Sequence, residues 1–276
     1  MCVGFAVKPA TIFGSSPRSG LNMSFEMHLE GASLVIGSGG HLMSEASMSV
    51  AMAGSHVVCA DYCLDDALAT STKIKERGFS AEAVELDVTS TESIEECLRI
   101  LKNKDIFVRN LINGAGVNAP TPFMEIDRNE WNRILDVQLI GVSETCRIFG
   151  REMISRGSGS IINISSASAN PPLSKAFVYS AAKAAVLNLT KNLAREWGTS
   201  GVRVNAIRPG FFPTKWNLDN FIDDERKQKI LAHTPMHRFG LPNELGACVV
   251  WLLSDEASFV TGSEIAIDGG FSAMTI

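Results

Sequence analysis

The chain has 276 residues, 45% of them hydrophobic and 20% charged, with a formal net charge of -5. This is ordinary globular composition, long enough to bury a core without staples. The acidic balance argues against a nucleic-acid or anionic-membrane partner, and no apolar run of about 18 residues is present to span a bilayer.

Residues 1–22 are rich in Gly, Ser and Pro and carry little periodicity, so a disordered tail is expected. No basic segment precedes the short apolar Met1 to Val7, which argues against a signal peptide; a translation start at Met23 is the alternative reading of the same region. From Gly31 a repeating pattern begins. Ser33 to Ile36 is an apolar run ended by Gly37-Ser38-Gly39-Gly40, and a small-residue helix is predicted over Leu42 to Ala53. A second run, His56 to Ala60, stops at Asp61, and a helix follows from Leu64 to Arg77 with Gly78 at its end. Ala81 to Leu86 is the third strand and Thr91 to Lys102 the next helix. Phe107 to Ile112 is the fourth strand, ending in Asn113-Gly114-Ala115-Gly116. One long helix is predicted from Arg128 to Arg156. The fifth strand, Ser160 to Ile164, leads through Ser165-Ser166 to a helix over Tyr179 to Trp197. Val202 to Ile207 is the sixth strand, followed by Arg208-Pro209-Gly210. A polar helix over Leu218 to His233, a helix over Glu244 to Leu253 and a last strand, Glu264 to Ile267, complete the pattern.

Strands that are continuous apolar runs, alternating with helices, belong to a parallel sheet buried on both faces. The expected fold is a single-domain, doubly wound (Rossmann) α/β sheet over residues 23–276, with a lid at about 211–238. Ligands in such sheets bind beyond the carboxyl ends of the strands. Gly37, Asp61, Asp87, Asn113, Ser166 and Arg208 all fall at those ends.

A Gly-rich turn between a strand and a helix suits a pyrophosphate, through Gly37, Gly39, Gly40 and the helix start at Leu42. Asp61 ends the second strand, 21 residues after Gly40. A carboxylate there can accept from a ribose 2′-hydroxyl and repels a 2′-phosphate, which favours NAD over NADP; a solvated loop aspartate is the alternative. Asp87 and Val88 fall near the adenine ring in such a fold, although Asp87 reads equally as a turn residue. Asn113, Gly114 and Ala115 form a small-residue loop that lets backbone pass close to a cofactor. Tyr179 and Lys183 lie four apart on one helix face, and Ser166 precedes that tyrosine by 13 residues at a strand end. A hydroxyl, a phenol and an ammonium at one point are equipment for moving a proton to or from an alcohol or carbonyl oxygen.

With these features the chain resembles the short-chain dehydrogenase/reductase superfamily from about Phe25 to Ala273, including Arg208-Pro209-Gly210-Phe211-Phe212-Pro213-Thr214 and Asp268-Gly269-Gly270. The turn without later glycines (His41 and Met43 stand in their places) and His233-Thr234-Pro235-Met236-His237-Arg238-Phe239-Gly240 are similar to the D-mannonate oxidoreductase-like branch. The resemblance implies that Ser166, Tyr179 and Lys183 are catalytic, that Gln138 stands where a catalytic Asn is usual, and that Thr214 holds the nicotinamide amide beside Pro209 and Gly210. It also implies a cytoplasmic homotetramer, with a dimer as the alternative.

Asn118, Lys175, Arg208, Lys215 and Asn217 are the polar groups expected near the strand ends, with Arg208 a candidate for a substrate carboxylate or a surface arginine. The expected reaction is hydride transfer between NAD and a small sugar acid. A 3-oxoacyl thioester reductase and a catalytically silent NAD-binding scaffold are the competing readings. The six cysteines, Cys2, Cys59, Cys63, Cys97, Cys146 and Cys248, form no C-x-x-C pair, so reduced, mostly buried thiols and no metal site are expected.

Overall fold

The computed structural model describes residues 27–214 and 222–274. The tail predicted over 1–22, the candidates Lys215 and Asn217, and the start of the predicted lid helix lie outside them. The apolar runs pair into one parallel sheet of seven strands. These are β1 (Ala32–Ile36), β2 (His56–Asp61), β3 (Ala81–Glu85), β4 (Val108–Asn113), β5 (Gly159–Ile164), β6 (Val202–Pro209) and β7 (Glu264–Ile267), in the order β3-β2-β1-β4-β5-β6-β7. β1 and β5 are buried along their whole length, and the polar residues within them, Ser33, Ser160 and Asn163, are hydrogen-bonded.

The helices are α1 (His41–Met52), α2 (Leu64–Glu76), α3 (Thr91–Asn103), α4 (Arg128–Leu135), α5 (Gly141–Arg156), α6 (Phe177–Trp197), α7 (Asp224–His233) and α8 (Pro242–Leu253). One core joins α1, α2 and α8 to the sheet through Val50, Ile74, Leu245 and Val249 against Val35, Cys59 and Ile112. The other joins α3, α5 and α6 through Ile94, Cys97, Phe149 and Ala194 against Leu34, Val58 and Ile161. The chain winds outward from β1 to β3 on one side and from β4 to β7 on the other. The crevice at the carboxyl ends of β1 and β4 is therefore the place where a ligand fits.

Most predicted boundaries hold to within two residues, the usual fraying distance. The single helix expected over Arg128 to Arg156 is interrupted. A π-turn at Asp136–Ile140 separates α4 from α5, and Gln138 sits inside it. Such one-turn insertions re-aim side chains and often mark functional positions. Burial pushes the thiols of Cys59, Cys97 and Cys146 up to about 12, so they behave as small core groups. No helix among the described residues is long and apolar enough to cross a membrane.

Candidate active site

The turn after β1 is built by Gly37, whose φ of 79° is open to glycine but strained for other residues. Gly40 N donates to Gly37 O at 3.0 Å, and the Gly37 and Ser38 amides donate to Ala60 O at 2.9 and 3.0 Å. A Cβ at Gly37 would lie 2.7 Å from Ala115 N, so the turn and the loop after β4 touch backbone to backbone. Gly37→Ala is expected to lower stability by about 1–3 kcal/mol and to weaken NADH binding. Thermal melts and NADH fluorescence titration check both, and wild-type values in each would show that the turn tolerates a side chain.

Asp61 faces this turn. Its Oδ2 accepts from Gly39 N at 2.9 Å and its Oδ1 from Cys63 N at 3.1 Å. Met43, which replaces a usual glycine in α1, is buried, and its room comes from the opposite loop. A Cβ on Gly114 would lie 2.2 Å from Met43 Sδ. The helix is thus accommodated by packing Met43 against Gly114.

The loop after β4 is anchored from below. Asn113 Nδ2 donates to Asn163 Oδ1 at 2.9 Å, and Asn113 Oδ1 accepts from Thr145 Oγ1 at 2.8 Å. The Asn113 side chain is thereby committed to the core, and Gly114 and Ala115 carry the loop's approach to the crevice. Gln138 is fully buried and donates from Nε2 to Val117 O at 2.7 Å, while its Oε1 has no partner. It does not line the cavity. The extra methylene and the π-turn bring the Gln138 amide to the 116–117 backbone, away from the cavity lining.

Of the two serines after β5, Ser165 is structural, donating from Oγ to Lys183 O at 2.9 Å and so tying α6 to the sheet. Ser166 turns to the crevice. Its Oγ accepts from Ser168 N at 3.1 Å and is hydrogen-bonded to Tyr179. Lys183 is buried and donates from Nζ to Ile164 O at 2.6 Å, 5.6 Å from the centre of the Tyr179 ring. Burial pushes the Tyr179 phenol up, and its hydrogen bond with Ser166 offsets part of that. Burial pushes the Lys183 ammonium down to about 7. Lys183 contributes no opposing shift to the Tyr179 phenol.

Ser166, Tyr179, Gly210 and Thr214 line two adjoining cavities. The larger, of about 730 Å³, also takes in Asn118, Lys175 and Ser168. The smaller, of about 290 Å³, adds Gly37, Gly40, Leu42, Lys183 and Pro209. Asp87 and Val88 line neither. The Asp87 carboxylate accepts from Thr89 N at 2.8 Å and Thr89 Oγ1 at 2.7 Å, the turn reading, and Val88 packs against Gly141. Arg208 is also corrected as a carboxylate ligand. It is 8% exposed, pairs with Glu264 on the adjacent β7, and donates to Asn170 O at 2.5 Å. Arg133, Ser168 and Arg226 reach the larger cavity without any signal in the sequence, because they come from three separate elements. A glycine-lined groove that a Cβ would fill, running from Gly37 to Lys183, fits a nicotinamide dinucleotide.

A family model described as "Enoyl-(Acyl carrier protein) reductase" matches residues 14–272. An uncharacterized oxidoreductase, UxuB, of Bacillus subtilis is 35% identical over 268 residues, covering 89% of this chain and 96% of its own. Galactitol 2-dehydrogenase of Rhizobium johnstonii is 34% identical over 257 residues, covering 91% and 99%. A gluconate 5-dehydrogenase of Burkholderia cenocepacia, solved with NADP and tartrate, superposes with TM-score 0.86 at 27% identity, covering 91% of this chain and 98% of that one. A Haemophilus influenza protein assigned as a D-mannonate oxidoreductase, solved with NAD, gives TM-score 0.84 at 32% identity, covering 90% and 97%. Similarity of this extent makes the chain a member of the short-chain dehydrogenase/reductase family of oxidoreductases acting on CH–OH groups.

Proposed function

We propose that this oxidoreductase exchanges hydride between NAD and a secondary alcohol of a polyhydroxylated sugar acid. The observation that carries the reading is the cavity wall beside Ser166 and Tyr179. Asn118, Ser168, Ser174 and Lys175 line it, a set of amide, hydroxyl and ammonium groups that suits a hydroxyl-rich molecule. The relatives named for galactitol, gluconate and mannonate share that chemical class.

In the oxidative direction Ser166 Oγ holds the reacting oxygen and stabilises the charge that develops on it. Tyr179 takes the hydroxyl proton while the carbon gives up its hydride and the C–O bond becomes a carbonyl. Bound NAD supplies the hydride acceptor and a positive ring that favours the phenolate. Lys183, held by Ile164 O beside the Tyr179 ring, places an amine at the buried end of the site. Reduction runs the same transfers backward. The test is turnover with NAD across aldonates, alditols and, in reverse, 3-oxoacyl thioesters. Reduction of thioesters alone would replace this reading with the acyl one, and NADH binding without any turnover would leave a silent scaffold.

The Asp61 carboxylate at the glycine turn supports NAD as the preferred cofactor, since a 2′-phosphate there meets a like charge. Asp61→Ala is expected to shift the NADP/NAD ratio of kcat/KM toward NADP by about tenfold or more, about 1.4 kcal/mol. An unchanged ratio in a wild type that already prefers NADP would remove this role.

A further inference from the structure

The larger cavity carries one sign of charge. Arg133 from α4, Lys175 from the loop before α6 and Arg226 from α7 line it, and no Asp or Glu does so among the described residues. The chain as a whole has the opposite balance, 30 acidic against 25 basic residues. Several arginines elsewhere are paired, Arg109 with Glu30 and Asp255, Arg147 with Glu144 and Arg238 with Glu244, while others such as Arg77 and Arg151 stand without a partner among the described residues, so it is the shared cavity and not the lack of a partner that groups Arg133 with Lys175. Arg133 and Lys175 have no side-chain hydrogen bond or ion pair among the described residues.

Arg133 and Lys175 are both exposed residues of the cavity lining, and two features bear on their placement. Arg133 stands in the last turn of α4, where a cation normally answers free carbonyls. Here α4 runs on through the π-turn into α5, so no free helix end is present for it to cap. Lys175 has φ 59°, a left-handed backbone that glycine or asparagine usually takes. The residue before it is held from the lid, where Arg226 Nη1 donates to Ser174 Oγ and Nη2 to Ser174 O, both at 3.2 Å. Arg226 is thus occupied with the loop, while Lys175 and Arg133 offer their charge to the cavity. Both charges stay hydrated beside a ligand that carries hydroxyls alone, whereas a carboxylate answers them with charge-assisted hydrogen bonds.

We propose that Lys175 and Arg133 form the carboxylate subsite of this cavity and select an aldonate over the alditol of the same carbon skeleton, with Arg226 as a positioning residue for the Lys175 loop. This rests on the hydride-transfer reading above. The experiment measures kcat/KM with NAD for D-gluconate and D-mannonate against D-glucitol and D-mannitol, in wild type, Lys175→Gln, Arg133→Gln, the double variant and Lys175→Arg. The aldonate-to-alditol preference is expected to fall by about tenfold to a hundredfold in the double variant, chiefly through KM, and to be kept in Lys175→Arg. Added salt is expected to raise the wild-type KM for aldonates and to leave that of the double variant flat. A preference that does not move, or equal losses on both substrate classes, overturns the subsite. Should wild type turn over neither class, the function reading fails separately, and calorimetric titration with tartrate in the presence of NADH still decides the subsite. Binding lost in the double variant upholds it; equal binding, or none to wild type, overturns it.

Discussion

Tyr179→Phe is expected to lower kcat by about three orders of magnitude while NADH binding stays at the wild-type level. Phenylalanine keeps the ring and its packing on α6 and removes only the hydroxyl. Ser166 keeps the Ser168 amide as a donor, so the rest of the site retains its geometry. No other side chain hydrogen-bonded to Ser166 can take a proton from a substrate hydroxyl. Steady-state kinetics with a parallel NADH titration separate chemistry from binding. Residual kcat within about tenfold of wild type would place the proton transfer on another group.

Lys183→Met is expected to end turnover and to stabilise the fold, most strongly below neutral pH. The sign follows from the burial of Nζ. The native pKa is held down to about 7, against 10.5 for an unperturbed lysine. Below about 7 the group is charged in both states, and the cost of keeping that charge buried is fully present. From there to about 10.5 the unfolded chain still binds the proton and the native chain does not, so wild-type stability rises with pH; above 10.5 the cost is gone. The methionine variant lacks this slope. Its advantage at about pH 6 is expected to be a few kcal/mol, reduced by about 1 kcal/mol because Ile164 O loses its donor, and to close toward about pH 10. Denaturant midpoints at three pH values check it. A pH-independent difference would mean that the native pKa of Lys183 is not held down. The same burial that costs stability places Lys183 where a proton can be exchanged at neutral pH, a trade found at sites that favour activity over stability.

How far the site could be read ahead of the fold depended on range. Runs such as Leu34 to Ile36 and Val57 to Ala60 announce buried parallel strands because nothing polar interrupts them, and Gly37 at a strand end marks a turn by local rules alone. Ser166, Tyr179 and Lys183 are legible because one strand and one helix fix their spacing. Arg208 is not, since its partner Glu264 lies on a neighbouring strand paired far along the chain. Gln138 is misplaced for a different reason. A π-turn inserts one residue without disturbing the apolar periodicity on either side, so the pattern over 128–156 hides it. The cavity cations come from three elements that only the tertiary fold brings together.

Met43 and Gly114 stand 71 residues apart and occupy one shared volume. Space next to the dinucleotide groove is therefore a joint property of both positions, and each sets what the other can be. A lineage that gains a side chain at 114 must first surrender the one at 43, whereas restoring glycine at 43 alone leaves a hole. The fingerprint glycines of the turn are, in this molecule, one half of a pair whose other half lies on the far lip of the crevice.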